Sequence, residues 1–154
     1  MRFCLFIFII LFIACNNTKT DRHDISLEQE GWLFNKQYIK AINESSWEKF
    51  SIEALNNYTD FKMEFSYIST GKPQTCGLYA KGIVVSRDAM QSTAVTQTKI
   101  LMRPNIIPNS PIWITRHISK KGNGVEIDIS DIAGFIKACG DAHQYAVGIY
   151  DSVQ

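Results

Sequence analysis

The sequence is poor in the features that announce a chemistry. Its formal net charge is +1, with 16 Lys and Arg scattered among 15 Asp and Glu, so no basic footprint points to nucleic acid. The three histidines, His23, His117 and His143, lack the short spacings of a metal site, and neither Cys76 nor Cys139 has a C-x-x-C companion. No metal and no cofactor are expected. There is no Gly-x-Ser-x-Gly, no glycine-rich phosphate loop and no His-Glu-x-x-His. The nearest approach to a nucleophilic set is Cys139 with Asp141 and His143. Those residues straddle Gly140 in an expected turn, where thiol and imidazole do not come within hydrogen-bond reach. Glu126, Asp128 and Asp131 lack EF-hand spacing and read as a solvated strand face. The expectation is a protein that binds rather than catalyses.

Long apolar runs are also missing, with one short exception. After Met1-Arg2 comes an apolar stretch from Phe3 to Ala14, then Cys15 and the polar Asn16-Asn17-Thr18-Lys19-Thr20. As a helix those about twelve residues reach roughly 18 Å, short of a hydrocarbon core of about 30 Å. A basic start before a Phe, Ile and Leu run is the pattern of a secretory signal. Ordinary signal peptidase needs small residues one and three positions before its cut. Before Cys15 those positions hold Ala14 and Phe12. The run Phe12-Ile13-Ala14-Cys15 resembles instead the lipobox of bacterial lipoproteins. That resemblance implies a signal over residues 1–14 and a Cys15 carrying diacylglycerol and an N-acyl chain. It also implies a protein held in the cell envelope by two or more chains, the number that makes an anchor stable.

Of the four cysteines, Cys4 leaves with the signal and Cys15 goes to lipid. Cys76 and Cys139 remain, an even pair in an oxidising compartment. A disulfide between them closes a loop of about 64 residues, worth about 4 kcal/mol in chain entropy. The alternative is two separate buried thiols.

The mature chain of about 140 residues suffices for one domain with its own core. Residues 15–24 are polar and aperiodic and read as a tether, and residues 25–154 read as a single β-rich domain. Near its start, Tyr38, Ile39 and Ile42 fit a short helix. Ser45-Ser46 offers an N-cap for a second helix over 47–57, with Trp47, Phe50 and Ala54 on one face. From Asp60 the period becomes two: Phe61, Met63, Phe65 and Tyr67 alternate with Lys62, Glu64 and Ser66. Further strands are expected over 76–86, 93–102, 112–119, 125–129 and 144–150, with a short helix over 132–138 capped by Ser130 or Asp131. Three prolines make 104–111 irregular. Sequential strands with short connections indicate an antiparallel meander, open under the N-terminal helices or closed as a small barrel. Gly31-Trp32-Leu33 followed by Asn35 to Ile42 resembles the opening of small lipocalin-like lipoproteins. The resemblance implies a tryptophan at the first strand, a short helix, an up-and-down barrel and a cavity for an apolar ligand.

Two features suit binding. Met63, Phe65, Tyr67 and Trp113 line the cavity if the barrel is closed and hollow, and form the core under the helices if the sheet is open. Ile106 and Ile107, between prolines, form either a plug against the domain end or an exposed contact surface. The sequence therefore leads to an envelope lipoprotein whose domain binds a small apolar ligand or a protein. The second reading is an inhibitor or immunity-type lipoprotein that blocks a toxin or hydrolase. Cys15→Ser is expected to abolish uptake of labelled fatty acid and to leave the protein soluble or unprocessed. Membrane association without label in the parent chain would contradict lipidation.

Overall fold

The structure, a computed structural model, describes residues 27–89, 96–119 and 122–153. The signal, Cys15 and the tether lie outside the described residues. The fold is mainly β. Eight strands run in antiparallel sequence: β1 (Lys36–Asn43), β2 (Ser46–Leu55), β3 (Asp60–Ile68), β4 (Gln74–Ala89), β5 (Thr96–Pro104), β6 (Ile112–Ser119), β7 (Gly122–Ile129) and β8 (Gly148–Ser152). One helix, α1 (Ile132–Cys139), and a 3-10 turn over Asp141–Tyr145 stand between β7 and β8. β8 pairs back on β1 through Tyr38 opposite Ser152 and Ile39 opposite Asp151, so the meander is a closed barrel. Of the two sheet forms open in the sequence, the closed one is found, and it fits a lipocalin-like barrel.

The two N-terminal helices expected over residues 38–42 and 47–57 are corrected to β1 and β2, a hairpin turning at Glu44-Ser45. The helical reading grouped Trp47 with Phe50 and Ala54. In the barrel Trp47 faces out, while Glu48, Phe50 and Ile52 alternate inward and are 0%, 0% and 1% exposed. A glutamate on the core face had disguised a period of two. The last strand also begins later than expected, at Gly148, because residues 141–145 form the 3-10 turn.

Apart from Glu48 of β2 and Thr98 of β5, the inward faces are largely apolar, and an eight-stranded barrel is just wide enough for such side chains to fill it. Phe61, Met63 and Phe65 of β3 meet Leu78 and Ala80 of β4, Ile100 and Met102 of β5, and Ile114 of β6, each at most 1% exposed. Gly82 belongs to this packing, since a Cβ there would lie 2.6 Å from Met102 Sδ and 3.0 Å from a Phe61 ring carbon. Large neighbours require a small residue at that point. β4 bulges between Val84 and Ser86, beyond both of its glycines.

Both ends of the barrel are stoppered. At the end where β1 begins, Leu33 and Phe34 fold under the strands, with the Phe34 ring stacked 5.1 Å from Phe61 and edge-on to Tyr58 at 5.4 Å. The buried Tyr38 hydroxyl donates to the carbonyl of Leu33 at 3.1 Å and fixes the segment there. At the opposite end α1 lowers Phe135, fully buried, onto Phe65 with ring centroids 5.2 Å apart. Phe65 in turn packs 4.9 Å from Phe50. Asp131 caps α1 by accepting from the Gly134 amide at 2.9 Å, and Gly140, with φ of 99°, ends it.

Phe65 touches the wall and the stopper at once. Phe65→Ala is expected to cost about 3–5 kcal/mol, measured by denaturant unfolding, against well under half that for outward Trp113→Ala. Equal losses at the two positions would contradict a filled interior.

Candidate functional site

The stoppered end that carries α1 gathers most of the polar chemistry. Cys76, on the first inward turn of β4, is bonded to Cys139 at the last turn of α1, with Cα atoms 5.2 Å apart. The disulfide expected from the cysteine count is present, and it ties the stopper to the wall. Cys139 is therefore no free thiol. His143 turns away from it into the barrel, where its Nδ1 lies 2.8 Å from Glu48 Oε1. The set of Cys139, Asp141 and His143 is not assembled as a nucleophilic site.

Glu48 and His143 are both fully buried. Burying a carboxylate is costly unless a partner holds it, and the imidazole supplies that partner across 95 residues of sequence. Glu48 Oε2 and His143 Nε2 have no hydrogen-bond partner among the described residues. Around the pair, Lys40 donates to the carbonyls of Tyr145 and of Val147, the latter at 2.7 Å, and its ammonium lies 4.8 Å from the Tyr150 ring centre. Burial lowers the Lys40 pKa from its ordinary value, and the nearby Glu48 carboxylate works against that shift. The Tyr150 hydroxyl donates to the Ala146 carbonyl at 2.7 Å. Burial, reinforced by the Glu48 charge, pushes its pKa well above the usual phenol range. Three strands thus hold residues 143–147 by polar contacts while the disulfide holds α1.

The sequence pattern contained a signal for this cluster. Read at period two, β2 places Glu48 among Phe50 and Ile52, and a charge on a core face demands a partner. The helical reading of that stretch hid it. Nothing in the spacing pointed to His143 as the partner.

The expected ligand-lining residues are dispersed. Met63 and Phe65 are fully buried inside the barrel. Tyr67, at the rim, lies 6.4 Å from the Tyr145 ring and borders an external cleft of about 460 Å³ with Gln74, Asp141 and Gln144. Trp113 stands on the outer wall, hydrogen-bonded to Ser130 Oγ at 3.2 Å, with the Lys99 ammonium 4.6 Å from its ring centre. The four side chains do not border one common cavity.

The two isoleucines divide the expected roles between them. Ile107 is half-buried against the core, while Ile106 is 64% exposed. Their loop, residues 105–111, is braced at both ends. Asn105 donates to the Tyr79 carbonyl at 2.8 Å, Ser110 Oγ to the Asp131 carbonyl at 2.8 Å, and the Ser130 amide to the Pro111 carbonyl at 3.1 Å. A cleft of about 230 Å³ lies between the loop and the start of α1, bordered by Ile106, Ile107, Pro108 and Gly134. Among the described residues no three His, Cys, Asp or Glu side chains gather as a metal site.

No family model matches the chain, and no curated protein or solved structure matches it. The class is therefore given by the fold: a closed eight-stranded antiparallel barrel, stoppered at both ends, with an external rim as its most elaborated surface.

His143→Leu leaves Glu48 buried without its partner and is expected to cost about 3–5 kcal/mol. Joint replacement of Glu48 and His143 by leucine is expected to restore most of that loss. A double variant as unstable as the sum of the singles would contradict the coupling.

Proposed function

We propose that this chain is a lipid-anchored protein of the bacterial envelope, exported by residues 1–14 and held by Cys15, whose barrel binds a protein on its outer rim. The observation that carries the reading is the braced loop 105–111, which keeps Ile106 64% exposed over an interior that is already filled. A loop fixed before binding loses little conformational entropy on contact, so an apolar anchor on it contributes more of its burial to affinity. A few side chains that a partner pocket can enclose carry most of the energy of such contacts. A small apolar ligand fits less well, because Met63 and Phe65 are already covered by neighbouring side chains. The role is binding without catalysis.

The same loop supports a second reading within this class. A rigid apolar projection beside α1 suits an inhibitor or immunity-type lipoprotein that inserts Ile106 into the cleft of a toxin or hydrolase. Site-specific photo-crosslinking in living cells tests both. A photoreactive residue at Ile106 is expected to give a discrete adduct with one protein, and one at the exposed Glu53 of β2, across the barrel, is not. Adducts of the same kind from both positions, or none from Ile106, would contradict a partner at this rim.

A further inference from the structure

The outer face of the β4–β5 hairpin carries a charge pattern that the fold does not need. Lys81 stands directly opposite Arg103 across the two strands, and Lys99 lies two rows beyond on the same face, all exposed. Like charges placed opposite one another destabilise a sheet. No described carboxylate forms an ion pair with any of the three. On the neighbouring strand, Asp60 accepts from Asn56 Nδ2 at 3.0 Å. Between the cations lie large apolar side chains that face solvent: Tyr79 is 57% exposed, Ile83 56% and Val85 48%. Ile83 lies in one cross-strand row with Leu101 and Trp113, of which Leu101 is only 5% exposed.

The location matters as much as the composition. β3 ends its pairing with β4 at Phe61 opposite Ala80, so the part of β4 that carries Lys81, Ile83 and Val85 projects beyond β3. That projection lies at the end of the barrel where the 3-10 turn Leu27–Glu30 touches β4. It is the end at which the described residues begin, at Leu27, while Tyr79 and Arg103 at the other margin of the face adjoin the loop of Ile106.

We propose that this face docks the barrel on a bilayer surface rich in anionic phospholipid. Lys81, Lys99 and Arg103 meet the headgroup charge, and Ile83 and Val85 enter the interfacial layer. An exposed cation near such a surface contributes about 1 kcal/mol, and apolar side chains between cations add burial that a soluble acidic partner does not supply. The face goes beyond the rim contact and adjoins it, since the Asn105 amide beside Ile106 is held by the Tyr79 carbonyl.

The test uses the unacylated chain from Asn16 onward, so its outcome is independent of lipidation at Cys15. All buried apolar residues of the described core lie between Leu27 and Tyr150, and the truncated chain retains them. Far-ultraviolet circular dichroism verifies the fold of each variant. Co-sedimentation is measured with vesicles of phosphatidylcholine alone and of phosphatidylcholine mixed with phosphatidylglycerol. Partition is expected only into the mixed vesicles, falling as salt rises. Lys81→Gln and Arg103→Gln are each expected to lower the partition coefficient about five-fold. Ile83→Ser lowers it further, and Glu44→Gln, in the exposed turn between β1 and β2, leaves it unchanged. No partition by the folded chain, equal partition into neutral vesicles, or variants that partition like the parent would overturn the proposal. Tighter binding to soluble polyglutamate than to the mixed vesicles would overturn it in favour of an acidic protein.

Discussion

The rest of the structure depends on closure of the space inside eight strands. Once β8 returns to β1, the inner side chains have one place to go, and they fill it. A barrel of this size has open ends, and each exposed end would return core aromatics to water. Phe34 covers Phe61 at one end and Phe135 covers Phe65 at the other, with buried Met63 between Phe61 and Phe65 on β3. The second stopper is a short helix of eight residues, too short to be stable alone. It is held by Cys76 through the disulfide, by Glu48 through His143, and by Lys40 and Tyr150 through backbone carbonyls. That concentration of cross-links lies where the sequence is least able to hold itself.

Placing polar groups there has consequences. The Glu48 and His143 pair is buried, so apolar replacements of similar volume would serve stability as well or better. What the pair adds is register, because one donor on the 3-10 turn meets one carboxylate on β2. The disulfide does the same for α1. Together they turn a loosely hydrophobic lid into a stopper with a single seat, and the loop 105–111 is braced against that stopper through Ser110 and Ser130. Exposed Ile106 is thereby connected to the core by a chain of specific contacts.

Much of the β architecture was legible because alternation survives wherever one face is apolar. Phe61 to Tyr67 and Val125 to Ile129 follow directly from it, while the helix cap at Asp131 follows from local helix signals, and β7 begins earlier than expected, at Gly122. β1 and β2 were missed for a physical reason. Glu48 broke the apolar face of β2, and the spacing of Trp47, Phe50 and Ala54 mimics a helix. Closure of the sheet was not legible, since it depends on two register contacts between β1 and β8 that no local pattern encodes. The candidate rim was legible only in part. Prolines marked 104–111 as irregular, but which isoleucine turns outward is decided by contacts with Asp131 and Pro111. The basic face was not legible either: Lys81, Lys99 and Arg103 are scattered in sequence and meet only through the pairing of β4 with β5.

A filled barrel must act through its surface, and a mass measurement of the intact folded chain tests that claim most directly. Native mass spectrometry of the protein purified without detergent or denaturant is expected to give the mass of the polypeptide with its disulfide, with no small molecule retained in the interior. A stoichiometric apolar molecule that stays bound until the chain unfolds would contradict it and return function to the inside of the barrel.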